Sequence, residues 1–267
     1  MRYFILAVFA SVALNATIYY AKVEPVQKYS IKSAVSGKVL KSNYEMEGRV
    51  SNGKIIIHLD DILNREDLKN SIQKLKTIKN LISITKENLK NAKEIASIRE
   101  KNYKKIKNLK TKSRVEKDNE LISSVNAQNQ VLNLMSNLEN LKSQLDDQNY
   151  KIATLRDQIK KKSIIVPKGY LIYKLYLQKG DYAGVGTFLV DAYDISKAKL
   201  TVYVSKEDYD LAKNGVIYLD GKPTSYKIDK LWNNADTQNI SSYKAQIIMP
   251  APKVFSKLVK VEFRIKQ

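Results

Sequence analysis

Cysteine is absent from the 267 residues. That excludes disulfides, a thiolate nucleophile, zinc-finger ligand sets and iron–sulfur clusters, and it leaves the redox compartment unread. Histidine occurs once, as His58. A metal site built on two imidazoles is therefore excluded, and a Ser-His-Asp arrangement has a single candidate base. His58 sits in an apolar, strand-like run from Lys54 to Leu59 ahead of Asp60-Asp61, and no G-x-S-x-G elbow occurs, so it reads as a structural residue. No catalytic, cofactor-binding or metal-binding residue is expected, and with no Walker A loop the chain carries no energy-coupling motif of its own. Acidic residues are also scarce, 27 against 47 Lys and Arg, for a formal net charge of +20. Only seven of the 47 are Arg. Lysine is a hydrated point charge without the bidentate fork of specific phosphate and base contacts, so a solvated basic surface is expected rather than a nucleic-acid site.

Charge is missing again near the N-terminus, where nineteen residues from Tyr3 to Ala21 are uncharged and mostly apolar. This run approaches the roughly 20 residues of a bilayer-spanning helix. A signal-anchor is expected over 1–22, with Tyr19 and Tyr20 in the interfacial belt. A cleaved signal peptide, cut near Leu14-Asn15-Ala16, is the competing reading. Either sends the rest of the chain across the membrane.

Glycine and proline vanish between 61 and 162. Within that stretch Leu68, Leu75, Ile82, Leu89, Ala96 and Tyr103 recur every seven residues, with Ile78, Thr85, Ala92 and Ile106 three residues after four of them. Ser71 and Arg99 hold the two other intervening positions, where Ile72, Ile95 and Ile98 are candidates to take over the contact. A second seam runs Val131, Leu134, Leu138, Leu141, Leu145, Gln148, Ile152, Leu155, Ile159. Between the seams, Ser113-Arg114-Val115-Glu116 is an S-x-x-E capping box that restarts a helix at Ser113. Two nearly equal arms, about 61–110 and 114–162, predict an antiparallel hairpin with arms of roughly 75 Å and a tip near 107–114. The alternative is a long parallel coiled-coil dimer.

Both flanks of this helical segment carry the same punctuation. Gly37 precedes Gly48 by eleven residues, and Gly169 precedes Gly180 by eleven, each followed by a Gly-bearing turn (Gly53; Gly184 and Gly186) and an apolar strand. Two copies of one small β unit are indicated, 28–60 and 164–195, with Gly37, Gly48, Gly53, Gly169 and Gly180 at the turns. A half-unit of some 30 residues cannot bury its own apolar face, so the copies are expected to pack on each other.

The order of anchor, half-domain, helical hairpin, half-domain and β region resembles the HlyD-like membrane fusion proteins, the periplasmic adaptors of tripartite efflux and type I secretion systems. The residues that carry the resemblance are Ala34 to Val39, Gly48, Gly53, Leu59-Asp60, Val166 to Gly169, Gly180-Asp181 and Gly184 to Thr187. It implies an α+β fold: a transmembrane helix, a lipoyl-like barrel-sandwich hybrid interrupted by a long antiparallel coiled-coil hairpin over 61–163, then a small β-barrel over 197–267. No modifiable lysine sits in a carrier-type turn. Within the barrel, strands are expected at Leu200–Val204, 216–219, 225–231, 243–249 and 259–265, with a short helix from Ser205 to Gly215. The chain stops at Gln267, so the membrane-proximal domain of many relatives is expected to be absent.

Relatives often carry at the tip an Arg, a Leu four residues on and a Ser seven beyond that, which engage an outer-membrane channel. Here Lys105 and Leu109 keep the first spacing, while Ser113 follows only four residues later. The resemblance assigns channel docking to Lys105, Leu109 and Ser113, with Ser113 and Glu116 as the helix cap. From Lys101 to Lys117 eight residues are Lys or Arg and one is acidic, which predicts a strongly positive tip.

The function implied is a noncatalytic adaptor in the inner membrane, single-pass with a periplasmic C-terminal portion, linking an inner-membrane transporter to a TolC-like outer-membrane channel. It implies a homo-oligomer, trimer or hexamer, and no nucleic-acid partner. The transporter's energy source stays open, the missing terminal domain and retained anchor favouring an ATP-driven ABC type over a proton-driven one. The alternative is a membrane-tethered basic coiled-coil scaffold with no part in transport.

Overall fold

A computed structural model describes residues 17–235, 239 and 241–265. In chain order the elements are β1 (Ile18–Lys22), β2 (Glu24–Lys32), β3 (Gly37–Ser42), β4 (Ile55–Leu59), α1 (Ile62–Ile106), α2 (Arg114–Lys161), β5 (Ser163–Ile165), β6 (Tyr170–Leu175), β7 (Tyr182–Ala183), β8 (Phe188–Ser205), α3 (Tyr209–Asn214), β9 (Val216–Leu219), β10 (Lys222–Pro223), β11 (Ile228–Ala235), β12 (Ser242–Pro250) and β13 (Leu258–Arg264). They fall into two compact units, one of 59–163 with 35–38 and one holding the remaining described residues.

The β unit is built from both sides of the helical segment. β2 pairs antiparallel with β8, and β6 pairs with the same stretch of β8. Backbone bonds stitch the two flanks further: Val39 N–H to Asp181 O at 2.8 Å, Gly180 N–H to Val39 O at 2.9 Å, Gly48 N–H to Ile172 O at 2.8 Å and Ser51 N–H to Tyr170 O at 2.7 Å. The Ser51 hydroxyl, on a buried residue, donates to the Val166 carbonyl at 2.7 Å. β8 runs on without a break to Ser205, and its second half pairs with β12, which pairs with β11. Its inward residues Ala198, Leu200, Val202 and Val204 alternate with polar ones and meet Ala245, Ile247, Ile217, Val261 and Phe263 in one core. This period of two is what a half-buried strand requires.

The N-terminal reading needs correction over its last five residues. Ile18–Lys22, expected as the end of a membrane helix, is strand β1, paired antiparallel with β13 from Ile18↔Glu262 to Lys22↔Leu258. Tyr19, Ala21 and Val23 point inward, while Ile18 and Tyr20 face out. Tyr19 is therefore no interfacial anchor: its hydroxyl donates to Asp208 Oδ2 at 2.6 Å and accepts from the Ser205 N–H at 3.2 Å. Burial, then the Asp208 carboxylate, raises its pKa. Residues 1–16 of the expected anchor lie outside the described residues. Among the described residues no helix is long and apolar enough to cross a membrane.

The helical unit is an antiparallel hairpin, not one arm of a parallel dimer. At its open end Leu59 N–H bonds Lys162 O at 2.8 Å, Asn64 Nδ2 donates to Gln158 Oε1 at 3.1 Å, and Lys162 Nζ donates to Asn64 Oδ1 at 2.6 Å. α1 buries Ser71, Ile78, Thr85, Leu89 and Ala92, and α2 buries Ser124, Leu138, Leu141, Gln148, Ile152 and Leu155. Ile72, Ile95 and Ile98 do not take over from the polar seam residues; all three are exposed. Ser71 is itself buried in the seam, and its backbone carbonyl accepts a hydrogen bond from Gln148 Nε2 at 3.0 Å, which places the polar interruptions of the two helices level with each other. α1 ends at Ile106 rather than Lys110, and its 45 residues span about 68 Å.

Candidate docking tip of the helical hairpin

The tip is built where two helices exchange termini. α1 closes with Lys107 N–H bonded to Tyr103 O at 2.9 Å, and the next turn is held by Leu109 N–H to Ile106 O at 3.0 Å. A short polar link follows. α2 then starts at a reciprocal cap, in which the Ser113 hydroxyl accepts from Glu116 N–H at 3.3 Å and Glu116 Oε2 accepts from Ser113 N–H at 2.8 Å. Two amides that a helix start leaves unpaired are thereby satisfied. Lys112 Nζ lies 2.9 Å from the other Glu116 oxygen. That ammonium, followed by the Ser113 amide, pulls the Glu116 carboxyl down to about 2, and the same pair raises the Lys112 pKa.

Lys105 stands in the last turn of α1 and is exposed, Leu109 lies exposed in the link, and Ser113 is the cap. The three thus fall within one turn-and-link segment, with Val115, 68% exposed, adding a second apolar side chain. Of the eight cations between Lys101 and Lys117, Lys104 pairs with Glu100 at 2.6 Å, Lys112 with Glu116, and Arg114 approaches Asp118 at 3.9 Å. Lys101, Lys105, Lys107, Lys110 and Lys117 have no ion-pair partner among the described residues. The segment thus exposes two apolar side chains, Leu109 and Val115, within a run of ammonium groups, a composition suited to an acidic, partly apolar surface.

The turn glycines sit as follows. Gly48, Gly53, Gly169 and Gly180 have φ of +77°, +81°, +92° and +102°, a region that a Cβ disfavours. Gly37 differs: a Cβ there would lie 3.3 Å from Leu59 Cβ, so its reason is space. Gly215 is a second glycine required for space, which its local sequence does not signal. At Gly215, the glycine closing α3, a Cβ would lie 2.5 Å from Leu211 O and 2.7 Å from Arg264 O. Only the approach of β13 creates that second contact.

Acidic pairs have local duties. Asp60 Oδ1 accepts from Ile62 N–H at 3.1 Å and buried Asp61 binds Arg65 at 2.7 Å, both at the start of α1. Asp146 and Asp147 are exposed on α2. Among the described residues no group of three His, Asp or Glu side chains could hold a metal ion.

No family model and no curated protein matches the sequence. Solved structures match the fold. The membrane fusion protein Spr0693 from Streptococcus pneumoniae R6 superposes with a TM-score of 0.65 at 11% identity, covering 94% of this chain and 100% of that one. MacA from Actinobacillus actinomycetemcomitans gives 0.61 at 16% identity, covering 93% and 78%. A MacA–MexA chimera carrying the α-hairpin domain of Pseudomonas aeruginosa MexA gives 0.57 at 14% identity, covering 94% and 82%. The chain has the fold of the membrane fusion proteins.

Proposed function

We propose that this chain is a noncatalytic membrane fusion protein, an adaptor that links an inner-membrane transporter to an outer-membrane channel for efflux or secretion. The observation that carries the reading is the interleaving: β strands on either side of a hairpin of about 100 residues pair with each other, so the helices are an insertion with a free, basic tip. A chain so built holds its β region at one partner and offers the tip to another. The lipoyl-like part of the β unit, 28–60 with 164–195, and the barrel part, 197–267, meet the transporter, of ABC type in preference to a proton-driven one. The tip residues Lys105, Leu109 and Ser113 dock on a TolC-like channel. Copies assemble as a trimer or hexamer. The uncharged N-terminal run sends the chain across the inner membrane and holds it there, with the C-terminal portion in the periplasm.

Affinity purification of the tagged full chain from its native membranes tests this, and it should retain a transporter and a channel. Recovery of neither sinks the reading. Alkaline phosphatase fused after Gln267 should be active; an inactive fusion would place the chain in the cytoplasm and favour a basic scaffold instead.

A further inference from the structure

The strand that follows the uncharged N-terminal run leaves one apolar face uncovered. β1 is the edge strand of the sheet β1–β13–β9–β10. Residues directly opposed in an antiparallel pair share a face of the sheet, so Ile18, Tyr20 and Lys22 stand outward together with their partners Glu262, Lys260 and Leu258. Ile18, Tyr20 and Leu258 are 49%, 59% and 60% exposed, three large side chains on two short strands. Ile265, past the end of β13 that pairs with the start of β1, is exposed as well.

The charge on this face has one free sign. Glu262 is buried and accepts from Arg264 Nε at 3.0 Å. Asp220, which follows β9, accepts from the Lys260 N–H at 2.9 Å and pairs with the Lys257 ammonium at 3.2 Å. Both acids are therefore engaged. Lys22 and Lys260 are exposed and have no ion-pair partner among the described residues. Aliphatic side chains, a tyrosine and free ammonium groups on one surface match a lipid interface, where apolar groups enter the acyl boundary and lysines reach the phosphates.

The length of chain ahead of β1 brings this face to such an interface. Between Arg2 and Ile18 lie fifteen uncharged residues, Tyr3 to Thr17. A helix of fifteen residues reaches about 23 Å, against roughly 30 Å of bilayer hydrocarbon. A span that short draws its flanking residues into the headgroup layer or thins the bilayer. With the run held in the membrane, β1 starts at the lipid surface.

We infer that the outward face of β1 and β13 is a lipid-binding surface that lies flat on anionic headgroups of the membrane holding the N-terminal run. Ile18, Tyr20 and Leu258 enter the headgroup layer, and Lys22 and Lys260 meet lipid phosphates. The inference rests on the anchored reading given above and adds a second, peripheral contact made by the folded β unit.

Because the chain has no cysteine, single cysteines can carry the probe. The full chain is reconstituted in nanodiscs of phosphatidylcholine and phosphatidylglycerol with nitroxide on a share of the headgroups, and bimane is attached in turn at Tyr20→Cys, Leu258→Cys and Asp229→Cys. Asp229 is exposed on β11, where its neighbours Ile228 and Leu231 pack against the shared core from the other sheet. Fluorescence should be quenched at Tyr20→Cys and Leu258→Cys and retained at Asp229→Cys. Adding Lys22→Glu with Lys260→Glu, or leaving out phosphatidylglycerol, should restore the Leu258→Cys signal, with circular dichroism confirming that each variant is folded. Quenching at Tyr20→Cys without Leu258→Cys, equal quenching at all three positions, or quenching indifferent to both charge changes overturns the inference; loss at neither strand position returns the face to a protein partner. A chain that does not enter nanodiscs refutes the anchor and this surface together, whereas entry without quenching refutes the surface alone. The transporter and channel are absent throughout, so the adaptor reading is judged separately by co-purification.

Discussion

At the scale of single residues, the glycines separate two physical demands. Gly48 has open space around it but a φ of +77°, so Gly48→Ala should cost the about 1–2 kcal/mol of a left-handed alanine. Gly215 has an ordinary φ but two carbonyl oxygens in its way. Gly215→Ala should cost about 1–3 kcal/mol by overpacking, and thermal melts of the two variants measure both losses. Substituting Ser113 by Ala removes the cap at the start of α2, worth about 1 kcal/mol, so the Glu116 amide should exchange about fivefold faster in hydrogen-exchange NMR. The other half of that cap titrates. Glu116 is held near 2 against an ordinary 4.5, so its contribution is complete above 4.5 and is lost as pH falls from there through about 2. Following the Ser113 amide shift against pH checks this; a midpoint at 4.5 would mean the cap does not form. The capping box was legible because its partners lie three residues apart. The steric need for glycine at 215 was not, because Arg264 is supplied by a distant strand.

At the scale of elements, the seam shows what periodicity can and cannot convey. Seven-residue spacing located both helices and their interacting faces, including the positions of Ser71 and Gln148. That these two face each other depends on how the arms are aligned, which no local pattern records. A polar contact in an apolar seam fixes register at a cost in stability. Gln148→Leu should therefore leave the melting temperature equal or higher while loosening alignment. Because the chain has no cysteine, the level pair Ile78→Cys with Leu141→Cys reports register cleanly: its disulfide should form fully in the parent background and only partly with Gln148→Leu. β1 is the contrary case. Its apolar residues continue an uncharged run, so hydropathy merges them with a membrane segment, although the alternation of Tyr19, Ala21 and Val23 with Ile18, Tyr20 and Lys22 is that of a strand. Deleting residues 1–17 should leave the β unit folded, whereas deleting 1–23 removes Ala21 and Val23 from the core and should abolish cooperative unfolding in circular dichroism.

At the scale of the whole molecule, a formal charge of +20 is spread over the chain, and the tip concentrates part of it on exposed side chains. Binding through such a field is screened by salt. Reversing Lys105, Lys110 and Lys112 to Glu should abolish channel pull-down, and parental binding should weaken severalfold between low and high ionic strength; unchanged, salt-insensitive binding would exclude an electrostatic tip. The sequence alone located the two helices, the cap between them, the paired glycine turns and the absence of thiol chemistry, because each depends on residues near one another in the chain or on composition. The tertiary structure was needed to decide that the two helical arms fold back on each other, that β1 closes against β13, that the two flanks share β8 and that Gln148 meets Ser71. Those are relations between residues tens to hundreds of positions apart, and their free energy arises only when backbone hydrogen bonds and buried surfaces from both ends of the chain are brought together.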